Sequence, residues 1–268
     1  YDPFWQRCVD LKVAVTSHGG VVPGLPWHGT AISSYMSDHI GTHAYQQSLL
    51  CKSLFLGGVT RRFPTLNFAS LECGVGFACS LYADLVGHWE KRNRQAMEAL
   101  DPACVDREYY ADLVARYGGE RLHGELNAIR GRFDLPRLPL LDEELLDEWR
   151  HLAVTRKDEL RELFCDRFYF GCEADDPITA WGFNRKVNPL GAQLKPAFSS
   201  DITHWDVPDI SRVVEEAYEL VEHGVISEDD FRDFVSHNPI RLHAGMNPDF
   251  FKGTAVESYA EKLLQGGA

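Results

Sequence analysis

Four side chains capable of acid–base or metal chemistry each stand just past an apolar run in this sequence. His18 follows Leu11-Lys12-Val13-Ala14-Val15-Thr16, and Glu72 follows Leu66-Asn67-Phe68-Ala69-Ser70-Leu71. Glu173 follows Arg167-Phe168-Tyr169-Phe170, and Asp201 follows Lys195-Pro196-Ala197-Phe198. An imidazole and a carboxylate together make a donor set suited to Zn²⁺, Fe²⁺ or Mn²⁺. Each residue also has a plainer reading. A lone His beside a core is more often a hydrogen-bonded structural residue, and an Asp after a strand is often a turn or cap residue. Glu72 either pairs with a buried Arg or exchanges protons with a substrate. His204, three positions after Asp201, is either a surface residue or a group that holds the Asp201 carboxylate or meets the substrate. Of His28, His39 and His43, at most one is expected in a pocket, and His43 is the choice. Trp27 and Trp205 either wall that pocket or pack at its rim. Glu173, Asp175 and Asp176 form an acidic run of the kind that is usually solvated.

The apolar runs predict strands, and the longer segments between them carry helical spacing. Strands alternating with helices imply a parallel sheet with helices stacked against it. In such folds the loops that follow the strands converge on one face, where the chemistry sits. A position shared by four strand ends argues more strongly than any one residue.

Residues 84–162 differ in character, being rich in Arg, Glu, Asp and Leu. Leu141-Asp142-Glu143-Glu144-Leu145-Leu146-Asp147-Glu148-Trp149 has helical patterning, and Leu135-Pro136-Arg137-Leu138-Pro139 interrupts the stretch. We read a helical insertion between the second and third strands, with its charges on a solvated face. Further on, Val213, Val214, Ala217, Leu220 and Val221 mark one helical stripe closed by Gly224. Ser227 then predicts the cap of a helix whose first turn holds Glu228, Asp229 and Asp230. Asn238-Pro239 is expected to end that helix and start a short one.

The chain has 268 residues and a formal net charge of -13, from 40 acidic and 27 basic residues. Such a balance repels polyanions, so nucleic acid is not an expected partner. No apolar run reaches membrane-spanning length, and Tyr1-Asp2-Pro3-Phe4-Trp5 carries no signal peptide. Without an initiator Met, the chain is not expected to start where its gene starts. The seven cysteines (Cys8, Cys51, Cys73, Cys79, Cys104, Cys165, Cys172) are scattered and form no Cys-x-x-Cys. They read as reduced, buried thiols of a cytoplasmic protein.

Three stretches together resemble a known group. Phe198-Ser199-Ser200-Asp201-Ile202-Thr203-His204-Trp205-Asp206, followed by an amphipathic helix and Asn238-Pro239-Ile240-Arg241-Leu242-His243, resembles the end of an amidohydrolase-superfamily barrel. The branch it resembles is the amidohydrolase-related one that includes aminocarboxymuconate-semialdehyde decarboxylase. Val15-Thr16-Ser17-His18-Gly19-Gly20 is similar to the fifth barrel strand of that family, whose His ligates metal. Leu56-Gly57-Gly58-Val59-Thr60-Arg61-Arg62-Phe63-Pro64-Thr65-Leu66, running into Glu72, is similar to the helix and sixth strand.

The resemblance implies an α/β fold: the second half (strands five to eight) of a TIM-type (β/α) barrel. Residues 1–268 would form one domain, with the 84–162 insertion inside it. It implies a divalent metal, first of all zinc with iron or manganese as alternatives, held by His18 and Asp201. Asp201, Glu72 and His204 would be catalytic, and His43 and Trp205 would meet a small carboxylated or cyclic substrate. The family's decarboxylases carry a His where this chain has Glu72, which favours hydrolysis over decarboxylation. The family also takes metal ligands from its first strand, commonly as His-x-His, and this chain has none. A catalyst completed by an oligomeric partner, or by a chain supplying the missing strands, is therefore expected. An inactive barrel fragment is the non-catalytic alternative.

Overall fold

The computed structural model describes residues 1–20, 36, 39–98, 100, 106–128 and 147–266. Contacts divide the chain into two compact units, one formed by Tyr1–Gly87 with His151–Ala268 and the other by His88–Arg150.

The first unit begins with helix α1 (Asp2–Leu11), which has Pro3 in its first turn, where the missing N–H is not needed. Lys12 closes α1 in the left-handed region, at φ 55°. Leu11 therefore belongs to a helix, and the first strand starts later than the apolar run suggested. That strand, β1, covers Val15–His18, so His18 is its last residue instead of the residue beyond it. The three other expected strands form close to their expected places: β2 (Phe68–Leu71), β3 (Phe168–Cys172) and β4 (Lys195–Phe198). All pairings are parallel, and the spatial order is β1-β2-β3-β4, the order in the chain. Successive crossovers thus all step the same way, and no strand reverses the order.

Helices α2 (Thr42–Leu56), α3 (Gly76–Arg92) and α4 (Asp158–Cys165) lie between these strands in sequence. Their aromatic residues build the core on one face of the sheet. Phe68 stacks on Phe168 at 5.4 Å, and Phe164 of α4 meets Phe168 at 5.0 Å and Phe55 of α2 at 5.4 Å. All four rings are buried, and each such burial stabilises the fold by roughly 1.5–3 kcal/mol. On the other face Ala69 and Tyr169 pack with Leu242.

After β4 come α5 (Val213–Glu222), α6 (Glu228–Arg232), α7 (Asn238–Ala244) and α8 (Glu257–Leu264). The α5 stripe is narrower than the spacing implied, because Val214 is exposed while Val213, Ala217 and Leu220 are buried. Ser227 caps α6 in a reciprocal capping box with Asp230. Asn238-Pro239 does not break the helix axis. A π turn over Asp233–His237 leads from α6 into α7, where Pro239 occupies the first turn and needs no N–H. The buried Asn67 side chain, just before β2, donates to the carbonyls of Arg241 (3.2 Å) and Leu242 (3.1 Å). It thereby ties the end of α7 to the start of β2, adding a second donor at the Arg241 carbonyl, which also accepts from Gly245 N–H at 3.1 Å.

The second unit runs within the expected 84–162 insertion and contains helices at Arg94–Glu98, Arg107–Tyr117 and Gly119–His123. Asp106 caps the longest of these by accepting from Tyr109 N–H at 2.9 Å. The Leu135–Pro139 break and most of the Leu141–Trp149 pattern lie outside the described residues. No described helix is long and apolar enough to cross a membrane.

Candidate active site at the strand ends

The parallel register carries His18, Glu72 and Asp201 to the same end of the sheet. His18 pairs with Leu71 in register, which puts it beside the start of the loop that holds Glu72. Gly171 makes that loop possible. A Cβ there would come within 3.2 Å of Leu71 Cα, 3.3 Å of Glu72 N and 2.5 Å of Ser199 Oγ. With no side chain in the way, the Cys73 and Gly74 N–H groups donate to the Gly171 carbonyl at 3.3 and 3.0 Å. Glu72 and Asp201 both turn the chain away from their strands with left-handed backbones, at φ 49° and 48°, as does Thr203 at φ 86°. Such conformations are costly for residues other than Gly, and they concentrate where a fold holds side chains for function.

His18 Nε2 lies 3.0 Å from Glu72 Oε1, and its Nδ1 hydrogen-bonds the Gly19 carbonyl. With an acceptor on each nitrogen the imidazolium is favoured, and the hydrogen bond to Glu72, then that to Gly19, raises the His18 pKa. His43, near the N-terminus of α2, places Nδ1 3.1 Å from the Glu72 carbonyl and 3.6 Å from its carboxylate.

The Glu72 and Asp201 carboxyls adjoin closely enough for each to shift the proton affinity of the other. Burial pushes Glu72 up, but the hydrogen bonds from His18 and Asp201 outweigh it and hold its pKa below the usual value. Asp201 moves the other way, raised by burial and by the adjoining Glu72 carboxylate. These opposite directions are what two interacting carboxyls give when cationic neighbours favour the charge of one more strongly than that of the other. His204 Nδ1 is 3.3 Å from Asp201 Oδ2 and is hydrogen-bonded to Asp206 Oδ1, which raises the His204 pKa.

Among the described residues, one group offers three converging donors for a cation. Ligand atoms of Asp201, His204 and Asp206 lie within 4.8 Å of one another. This mixed nitrogen and oxygen set, in an acidic surrounding, fits a divalent ion of the zinc, iron or manganese kind. His18, expected to share an ion with Asp201, is not among these three donors and has its Nε2 3.0 Å from Glu72 Oε1. Asp206 was not anticipated, although it lies two residues past His204.

Two clefts flank the cluster. One, of about 390 Å³, is lined by Asp201, Asp206, Asp175 and Glu216, and the other, of about 320 Å³, by His39, His43, Glu72 and Asp176. Glu173 lines both. Its pKa is raised by partial desolvation and by the nearby Asp175, Asp201, Glu72 and Asp206. The sequence reading set Glu173 aside as part of a solvated run, yet its position just past β3 is the signal that marked Glu72 and Asp201. Trp205 is 75% exposed and lines neither cleft, with its ring 5.9 Å from that of His204. Trp27 and His28 lie outside the described residues.

The thiols offer no competing chemistry. Cys8, Cys51, Cys73, Cys79, Cys165 and Cys172 are free, and burial pushes Cys51 up to about 11 and Cys79 and Cys165 to about 12. A thiol so far from ionising is a poor nucleophile. Cys104 lies outside the described residues.

Comparison with known proteins returns no matching family model, no matching curated protein and no matching solved structure.

Proposed function

We propose that this chain is a metal-dependent hydrolase built on the second half of an amidohydrolase-type (β/α) barrel. One observation carries the reading: parallel strands bring His18, Glu72 and Asp201 to one end of the sheet, where His18 meets Glu72 at 3.0 Å and Asp201 meets His204 at 3.3 Å. The strand order agrees with the barrel reading, because consecutive parallel strands are also neighbours in a (β/α) barrel.

Asp201, His204 and Asp206 would hold a divalent ion, with His18 beside Glu72 at the same end of the sheet. Such an ion polarises a carbonyl and lowers the pKa of water near it. The remaining work belongs to the chain. Glu72 accepts a proton from the attacking water and gives it to the leaving nitrogen or oxygen as the C–N or C–O bond breaks. His43 fixes the Glu72 loop through the carbonyl of that residue, and its ring lines the adjoining cleft. The carboxylates around the larger cleft repel an anionic substrate. A small cyclic amide or ester therefore suits the site better than a carboxylated molecule, and hydrolysis suits it better than decarboxylation. With buried free thiols, the protein suits a reducing cytoplasm.

The test is turnover of a panel of lactones and cyclic amides by zinc-loaded protein, compared with Glu72→Gln. That substitution keeps the shape and removes the proton acceptor, so the rate should fall about 100-fold or more with the fold unchanged. An equally active Glu72→Gln protein returns Glu72 to a structural role. Carbon dioxide release from a carboxylated substrate, with no hydrolysis of the panel, establishes the carboxy-lyase instead.

A further inference from the structure

At the other end of the sheet, where β4 begins, a cleft of about 380 Å³ is lined by Arg161, Arg185, Lys195 and Arg241. Only two carboxylates, Asp166 and Asp233, share it. Like charges repel, and in a chain with 40 acidic and 27 basic residues such a gathering of cations needs a reason.

The cations are positioned mostly by neutral acceptors. Arg161 Nη1 reaches the Leu190 carbonyl at 3.5 Å, and Arg185 Nη2 donates to Gln193 Oε1 at 2.7 Å. Lys195 Nζ donates to the Asp166 carbonyl at 2.8 Å and stands 4.8 Å from the centre of the Tyr169 ring. Arg241 faces a carboxylate, that of Asp233, at 3.7 Å. Neutral acceptors orient a cation without cancelling its charge. The rim supplies the Leu190 carbonyl from a turn in which Leu190 and Gly191 are both left-handed, at φ 60° and 62°.

We propose that this cleft binds the phosphoryl group of a small phosphorylated molecule. Four cations less two carboxylates leave two positive charges, which match a phosphate dianion. Three guanidinium forks supply donors in several planes, as the oxygens of a tetrahedral phosphoryl group require, whereas a planar carboxylate needs one fork. The volume suits one small ligand.

Lys195 provides a signature of occupancy. Burial holds its pKa down at about 8, with Arg167 and Arg241 adding to the depression and Asp166 and Cys165 opposing it. An anion beside Nζ favours the charged form, so binding near pH 8 takes up a proton.

The test is calorimetric titration of the full chain with inorganic phosphate, pyrophosphate and citrate at low ionic strength. Saturable one-to-one binding of phosphate or pyrophosphate is expected, and weaker binding of citrate. Arg185→Gln and Arg241→Gln should each weaken it about tenfold or more, and Glu72→Gln at the far end should leave it unchanged. Arg185 is exposed, so its variant tests the charge without endangering the fold. At pH 8 the binding heat should depend on the ionisation enthalpy of the buffer, and Lys195→Met should remove that dependence. No saturable binding of phosphate or pyrophosphate, wild-type affinity in both Arg variants, or citrate binding as tightly as phosphate would overturn the proposal.

Discussion

Glu72 and Asp201, 129 positions apart in the numbering, both turn off their strands with left-handed backbones and bring adjoining carboxyls to the same end of the sheet. Adjoining carboxylates repel each other and favour a cation or a proton beside them. The fold thus keeps a place for positive charge at the end of its sheet, and His18 and His204 flank it.

Gly171 sets how closely β2, β3 and β4 approach at that place. Ser199 can rotate away from an added methyl, but Leu71 Cα and the Glu72 nitrogen are backbone and cannot. Gly171→Ala should cost about 1–3 kcal/mol, as overpacking typically does, and should move Glu72 off His18. Thermal unfolding reads the first effect, and the His18 titration followed by NMR reads the second. Wild-type stability with an unmoved His18 pKa would show that the approach is not tight.

Away from the site, Arg61 and Glu159 tie α4 to the segment before β2. Arg61 Nη2 lies 2.5 Å from Glu159 Oε2, while Arg61 Nε donates to the Leu152 carbonyl at 2.7 Å. The hydrogen bond from Arg61 is the main reason the Glu159 pKa falls from 4.5 to about 2. A pKa lowered on folding favours the native state above the unfolded value, and that contribution fades as pH drops through the folded value. Glu159→Gln should therefore cost about 2 kcal/mol at neutral pH and progressively less as the pH falls from 4.5 towards 2. Urea unfolding at neutral and acidic pH measures both; a pH-independent difference would rule out the charge as the source.

The outer edges of β1 and β4 pair with no described strand. Thr16 and His18 of β1 are exposed, and edges left in this state favour pairing with further strands. Native mass spectrometry is expected to detect an oligomer of this chain, or a complex with a chain that completes the sheet. A stable monomer at micromolar concentration would contradict that expectation.

Much of this was legible in the sequence. The β4 run was bounded by its own composition, and the Ser227 cap by the acidic turn after it, because both signals are local. The start of β1 was not, since Leu11-Lys12-Val13 is as apolar as a strand and only the helix before it claims Leu11. That His18 would stand on Glu72 depends on the register between two strands, which no local pattern encodes. The left-handed turns at Glu72 and Asp201 carry no glycine to announce them. Trp205 looked like a pocket wall because of its ring, but the chain turns between His204 and Val207 and leaves the indole in solvent. Glu173 was visible by position and was outweighed by its acidic neighbours.

The most direct measurement is zinc titration of metal-free protein by calorimetry, with Asp201→Asn and His204→Ala beside the wild type. Saturable binding of one ion per chain is expected, weakened by roughly 10- to 100-fold or more in each variant while circular dichroism stays unchanged. Absence of saturable binding, or binding that neither substitution weakens, would contradict a metal centre at the strand ends.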